Sequence, residues 1–263
     1  MSAADRHGGA CLCGGVRFEA AGRLRAVIVC HCRQCRTWSG HVWAATSVPA
    51  DRFRLIRGTT LAWFASSAQA SRGFCNRCGA SLFWRPAGEA RIAIAAGALD
   101  PPTGLAVAEH WFTGSAGDYY APEGPPPEPT PTSGRLTCGC LCGAVAFGVP
   151  APAGAITACH CDQCRRTSGH FSASFDIDPH TLEWLRRDGL AGYRTAGGAT
   201  RHFCRHCGSS LAFTGPDCTL SVEAGAVQGP TGGRLAAHIF TAGRGDYHRI
   251  DDGLPQFPGP GPD

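Results

Sequence analysis

CLCGGVRF, residues 11–18, returns as CLCGAVAF at residues 140–147, an offset of 129. The same offset carries Cys30, Cys32, Cys35, Cys75 and Cys78 onto Cys159, Cys161, Cys164, Cys204 and Cys207 without a gap. Neighbouring residues follow: CHCRQCR matches CHCDQCR, SGH at 39–41 matches 168–170, and FCNRCGASL matches FCRHCGSSL. Past the last cysteine pair the offset falls to 128, which aligns Gly97, His110, Asp118 and Tyr119 with Gly225, His238, Asp246 and Tyr247. One module is written twice. Between the copies, APEGPPPEPTPTSG (121–134) holds six prolines and no apolar periodicity, the composition of a semi-extended spacer. The expected organisation is a first module over 1–120, a Pro-rich linker over 121–134 and a second module over 135–263. The tail after Ile250, DDGLPQFPGPGPD, is expected to lie on the surface or fray.

Composition narrows the chemistry. All 24 basic residues of the 263 are Arg, so a Schiff-base lysine and a P-loop are both excluded. With 36 Gly and 19 Pro the chain is heavily punctuated, which favours short strands and turns over long helices. The N-terminus MSAADRHGGA has no apolar h-region, and the longest nearly apolar run, Ile92 to Leu99, is far short of a membrane span of ~20 residues. The expectation is therefore a cytoplasmic protein without a membrane partner. In a reducing compartment its 16 cysteines serve metal or chemistry rather than disulfides.

The secondary structure reads as β. Phe171, Ala173, Phe175 and Ile177 alternate with polar residues, and Val42, Ala44, Thr46 and Val48 are their counterparts in the first copy. Ile92, Ile94 and Ala96 pair with Leu220, Val222 and Ala224, and further strands are expected at Val16–Glu19, Ala26–Val29 and Ser81–Trp84. Turn signals about every ten residues suggest a small sandwich or an open, barrel-like sheet. One helical turn is expected after Cys32 and after Cys161.

Seven thiols per module divide as four plus three. Phe-Cys-x-x-Cys-Gly is a knuckle that places two sulfurs on a tight turn and needs two more from elsewhere. Cys11 and Cys13, at i and i+2 on an extended strand, point the same way and could supply them. That leaves Cys30, Cys32 and Cys35. Four thiolates make a closed tetrahedral zinc site, whereas three leave a coordination position open, the signature of catalytic zinc. Spacing alone also permits the knuckle to join the middle cluster, and a purely structural role for every thiol is the plainer alternative. Strand geometry points His31 and His160 away from the neighbouring sulfurs, and each is expected to donate to a sulfur or a carbonyl. The pairs His41/His170 and His110/His238 are expected to be ordinary satisfied histidines. Cys138 and Cys218 lack counterparts and read as plain thiols. HExxH, GxSxG and GxGxxG motifs are absent from the sequence.

At CLCG, CHCxxCR, SG, FCxxCG and the closing DGLPQF the chain resembles the glutathione-dependent formaldehyde-activating enzyme family, which includes the centromere protein V group. The resemblance runs over nearly the whole chain, twice. It implies two tandem, mostly β, Mss4-like zinc modules. It also implies structural zinc at Cys11, Cys13, Cys75 and Cys78 and at Cys140, Cys142, Cys204 and Cys207. The implied catalytic zinc lies at Cys30, Cys32 and Cys35 and at Cys159, Cys161 and Cys164, making four ions per chain. The implied activity is that of a carbon–sulfur lyase condensing a small-molecule thiol, glutathione, with formaldehyde to S-hydroxymethylglutathione. The chain departs from the family where Asp118-Tyr119 and Asp246-Tyr247 stand in place of a tryptophan–tyrosine pair, and where Asp100 becomes Gln228. Arg36 and Arg165, just beyond the three-thiol sets, are expected either to contact a substrate carboxylate or to be solvated surface residues.

A non-enzymatic zinc module for protein or nucleic-acid interaction, or for redox and zinc sensing, is the competing expectation. Nucleic acid fits poorly, because the arginines are scattered and do not interleave with aromatics. Charge weakens it further. Each divalent ion on four thiolates leaves −2 and each on three leaves −1, so loading two of each turns the formal +4 into about −2. Oligomeric state is not legible in the sequence.

Overall fold

The computed structural model describes residues 6–261; residues 1–5, part of the stretch read for an export signal, and 262–263 lie outside it. The chain is mostly β, with two short helices and the same architecture twice. The first copy comprises β1 (Arg6–Ala10), β2 (Val16–Ala21), β3 (Val27–Cys30), α1 (Arg33–Ser39), β4 (Trp43–Pro49), β5 (Phe53–Gly58), β6 (Leu61–Ser67), β7 (Ala70–Cys75), β8 (Ser81–Pro86), β9 (Arg91–Ala95) and β10 (Val107–Trp111). The second comprises β11 (Arg135–Gly139), β12 (Val145–Pro150), β13 (Ala155–Cys159), α2 (Asp162–Ser168), β14 (Ser172–Ile177), β15 (Glu183–Arg187), β16 (Leu190–Arg194), β17 (Thr200–Cys204), β18 (Ser210–Thr214), β19 (Leu220–Glu223) and β20 (Arg234–Ile239).

Each copy pairs a three-stranded sheet with a seven-stranded one. The orders are β1-β2-β5 with β10-β3-β4-β9-β8-β7-β6, and β11-β12-β15 with β16-β17-β18-β19-β14-β13-β20. Among the named strands described, β10 with β3 and β20 with β13 run parallel and the other pairs antiparallel, because each of these two returns across the sheet instead of turning back in a hairpin. The expected one-face alternation holds only in part: in β14 Ala173 and Phe175 are buried and Asp176 exposed, but Ser172 is buried too, and in β4 every residue from Trp43 to Val48 is buried because the strand lies inside its sheet. Ala96 and Ala224, assigned to strands from periodicity, instead open buried 3-10 turns at the ends of β9 and β19.

The two copies form one packed body through matched contacts. Gly97 N–H donates to Gly169 O at 2.8 Å, and Gly225 N–H donates to Gly40 O at 2.7 Å. Asp118 accepts from the Thr231 backbone N–H and hydroxyl, both at 2.9 Å, while Asp246 accepts from Thr103 at 2.6 and 2.9 Å. The knuckle glycines have φ of +75° (Gly79) and +77° (Gly208). A Cβ on Gly79 would lie 2.6 Å from the Phe203 ring, and one on Gly208 would lie 2.4 Å from the Phe74 ring. Each Phe-Cys-x-x-Cys-Gly knuckle therefore presses its glycine onto the aromatic ring of the other knuckle. A core cluster containing Val27, Tyr119 and Tyr120 continues into Val145, Phe147 and Phe175 of the second copy.

The linker over 121–134 contains no helix or strand, and it is tied to the second copy where Pro126 is buried and its carbonyl accepts from Arg234 at 3.1 Å. Of the two expectations for the tail, the surface position holds: none of residues 251–261 is buried, and His238 N–H donates to Pro255 O at 2.9 Å and Phe257 N–H to His238 O at 2.8 Å, adding the tail as a parallel partner of β20. Proline lacks a donor but still offers a carbonyl, so Pro255 can serve an edge strand. No helix among the described residues is long and apolar enough to cross a membrane.

Candidate metal centres and their surroundings

The structure brings together Cys11, Cys13, Cys75 and Cys78, and likewise Cys140, Cys142, Cys204 and Cys207. Sulfur separations are 3.6 Å for Cys11–Cys13 and Cys13–Cys75, and 3.6 and 3.7 Å for Cys140–Cys142 and Cys142–Cys204. A tetrahedron with metal–sulfur bonds of ~2.3 Å requires sulfurs about 3.8 Å apart, so these donor sets fit zinc. The backbone assists: Val16 and Val145 N–H each donate to a sulfur, of Cys11 and Cys140, at 3.2 Å. All sixteen cysteines are unbridged.

The other two clusters stop at three. Cys30, Cys32 and Cys35 lie within 4.8 Å of one another, as do Cys159, Cys161 and Cys164, and among the described residues no fourth His, Cys, Asp or Glu ligand joins either set. The local chain explains the geometry. β3 ends at Cys30, Cys32 is the N-cap of α1 and accepts from Cys35 N–H at 3.5 Å, and Cys35 follows one turn later. In the second copy Cys161 caps α2 and accepts from Cys164 N–H at 3.4 Å. The neighbouring thiol donors of Cys30 and Cys35, then Cys35 N–H and the Arg72 charge, hold Cys32 down to about 2; Cys161 is lowered to about 2 by the matching groups. The same coupling pushes Cys30 and Cys35, and Cys159 and Cys164, upward, so without a cation each cluster favours one thiolate, and a metal would have to displace the remaining protons.

A residue pair that sequence reasoning left unassigned completes each cluster. Arg72 on β7 donates to Cys35 Sγ at 3.5 Å, and Arg201 on β17 donates to Cys164 Sγ at 3.4 Å. Both guanidiniums are buried, and the Nε of each has no partner. Their retention at offset 129 was the available signal, but nothing local connects residue 72 with residue 35. Arg36, half-buried, donates through Nε to the carbonyls of His31 and Ser115. Arg165, only 5% exposed, donates to Gly97 O and Leu99 O across the module interface, so it is not a solvated surface residue.

The histidines also depart from expectation. His31 pairs through Nδ1 with the Tyr120 hydroxyl and through Nε2 with His110, each at 2.9 Å, rather than with a sulfur or carbonyl. His160 pairs with His238 at 2.9 Å, and His238 with Asp252 at 2.8 Å. His41 and His170 reach the hydroxyls of Tyr119 and Tyr247. His31, His41, His110, His170, His238 and His248 line a cavity between the two copies. Burial is the first cause that lowers His31 to about 4 and His160 and His248 to about 3, so these three are neutral near pH 7. Cys138 is buried and its thiol is pushed up to about 12, whereas Cys218 is exposed.

A β module with a closed four-thiol knuckle and a three-thiol turn, present twice, defines a tandem thiol-rich metal-binding protein. The profile of the glutathione-dependent formaldehyde-activating enzyme family matches residues 6–115 and again 135–243. The chain belongs to that family, in two tandem copies. It is 30% identical over 76 residues to an uncharacterized lyase, C29B12.13, of Schizosaccharomyces pombe; the match takes in 29% of this chain and 55% of that relative. A crystal structure of a Rhodobacter sphaeroides protein aligns at 24% identity with a TM-score of 0.31, covering 36% of this chain and 89% of that one.

Proposed function

We propose that the chain is a zinc-dependent carbon–sulfur lyase/synthase acting on a thiol–aldehyde adduct, with glutathione and formaldehyde the first pair to test. In this reading Cys30, Cys32 and Cys35, and Cys159, Cys161 and Cys164, hold the catalytic ions. The two four-thiol sets hold structural ones, giving four zinc per chain in a cytoplasmic enzyme with module boundaries at 120/121 and 134/135. The carrying observation is the three-thiol cluster with no fourth protein ligand, repeated beside a closed four-thiol cluster.

When bound there, zinc supplies a Lewis-acidic open position that lowers the pKa of an incoming thiol. The chain's own residues set up that position. The caps at Cys32 and Cys161 fix two sulfurs relative to the third. Arg72 and Arg201 offset negative charge on Cys35 and Cys164, leaving those sulfurs less electron-rich and the centre more electrophilic. Condensation forms one C–S bond and moves one proton from the thiol to the aldehyde oxygen, so positioning and thiolate formation supply most of what the reaction needs.

The test is adduct exchange between glutathione and formaldehyde, followed by NMR with the zinc-loaded protein and with Cys32→Ser and Cys161→Ser. Acceleration by the wild type that falls in the variants supports the proposal. No acceleration over the uncatalysed exchange refutes the glutathione assignment, and zinc release on mild oxidation without any turnover favours a redox or zinc sensor instead. Elemental analysis should give four zinc per chain; two would place zinc in the four-thiol sets alone.

A further inference from the structure

Phe112 and Phe240 occupy matched positions directly after β10 and β20. Their backbones lie in the left-handed region, at φ 57°, ψ 40° and φ 53°, ψ 39°. Among the described residues only Cys218 shares a positive φ without being glycine. For a bulky L residue this conformation is strained, and glycine would adopt it without that strain.

The position explains the backbone but not the ring. Trp111 is in register with Cys30, and Ile239 with Cys159. His31 N–H donates to Trp111 O at 2.9 Å, and His160 N–H to Ile239 O at 3.0 Å. The next residue therefore stands beside the cysteine turn itself. Beyond it a 3-10 turn wraps the same loop: Ser115 O accepts from Arg36 at 3.0 Å, and a Cβ on Gly243 would lie 3.3 Å from Cys161 Cα. The chain needs a left-handed residue here, yet both copies place a phenyl group on it. That ring does not serve the core. Phe112 is 63% exposed, more than any other large apolar residue described, and Phe240 is 36% exposed. Strain and hydrated apolar surface are thus carried twice at the rim of the three-thiol clusters, and strain kept at such a place points to use by a ligand.

We propose that Phe112 and Phe240 are substrate-contacting residues, each presenting a phenyl face to the organic body of a thiol whose sulfur enters the adjacent three-thiol site. The proposal rests on the thiol-binding reading above. A flat peptide group or a sulfur-bearing methylene chain is the chemistry that packs on such a face. The two rims differ. In the second copy Gly259 O accepts from Phe240 N–H at 2.7 Å and Phe257 O from Thr241 N–H at 3.0 Å, so the tail runs along that rim. The first copy offers the more open face.

The experiment uses the zinc-loaded full chain with Phe112→Gly and Phe112→Leu, and glutathione as the probe. It reads glutathione Kd by calorimetry, KM for adduct exchange, Tm and zinc content. Phe112→Gly should hold or raise Tm and keep its zinc while weakening Kd and KM about 3–10-fold, the worth of one aromatic contact. Phe112→Leu should fall between. 2-Mercaptoethanol, too short to cover the ring, should bind both proteins alike. A lowered Tm with unchanged Kd would make the ring structural and overturn the proposal. Weaker binding in the variant with no turnover by the wild type would sustain the contact and sink the lyase reading. Turnover by the wild type with Kd and KM unchanged in Phe112→Gly would do the opposite. Failure of glutathione to bind the wild type at millimolar concentration would overturn both for this thiol.

Discussion

Replacing Glu223 with Gln should stabilise the protein in alkaline solution and leave it nearly unchanged in acid. Glu223 ends β19 at 4% exposure, accepting from the Ser172 hydroxyl at 2.8 Å and the Ser210 hydroxyl at 3.2 Å. Burial raises its carboxyl from 4.5 to about 7. An acid with a raised pKa stays protonated in the folded state while the unfolded chain releases its proton. The folded state therefore keeps its full stability below pH 4.5 and loses some of it as pH rises to about 7. A shift of about 2.5 units at ~1.4 kcal/mol each is a penalty of roughly 3 kcal/mol above pH 7. Gln keeps the shape and carries no charge, so Glu223→Gln should remove most of that penalty at pH 8 and little at pH 4.5. For a chain of this size the difference is about 5–10 °C in Tm. Calorimetry on zinc-loaded wild type and variant at both pH values measures it, and comparing the two proteins cancels the pH dependence of metal binding. A Tm difference that is the same at pH 4.5 and pH 8 would refute the reasoning.

The histidine cluster acts in the opposite direction. His248, held neutral by burial with its pKa lowered to about 3, contributes stability that is complete above pH 6.5 and is lost as pH falls toward 3. His248→Phe should flatten that acid limb by about 2–3 kcal/mol at pH 4.5, read as a smaller Tm drop between pH 7.5 and 4.5. Asp118→Ala removes the hydrogen bonds its carboxylate accepts from Thr231 and Gly232 and should cost about 2–4 kcal/mol, measured as a fall in Tm at neutral pH. Gly208→Ala sets a Cβ against the Phe74 ring at positive φ; both knuckles should lose zinc more readily to a chelator, not only the substituted one.

The cysteine framework was legible because ligand spacing is local. Cys32 and Cys35 share one helical turn, and Cys75 and Cys78 share one knuckle. Alternation in β14 was legible in part for the same reason. What the sequence did not reveal lies between distant segments. His31 was correctly turned from its sulfurs, but its partners, His110 and Tyr120, come from the other end of the module. Arg36 and Arg165 stand beside cysteines in sequence while their guanidiniums turn to backbone carbonyls. Arg72 and Arg201, far along the chain, are the arginines on the thiols. Composition placed the tail on the surface but did not reveal its pairing with β20, which uses a carbonyl that proline retains.

The matched contacts between the copies have a genetic consequence. A single module pairing with itself must solve both halves of its contact surface with one set of side chains, since any change appears on both sides of the axis. Fusion lifts that restriction. Against Gly169 the first copy places Trp43 and Ala95; against Gly40 the second places Glu223, braced by Ser172. A Trp in one half and a buried carboxylate in the other can coexist only when each half has its own codons.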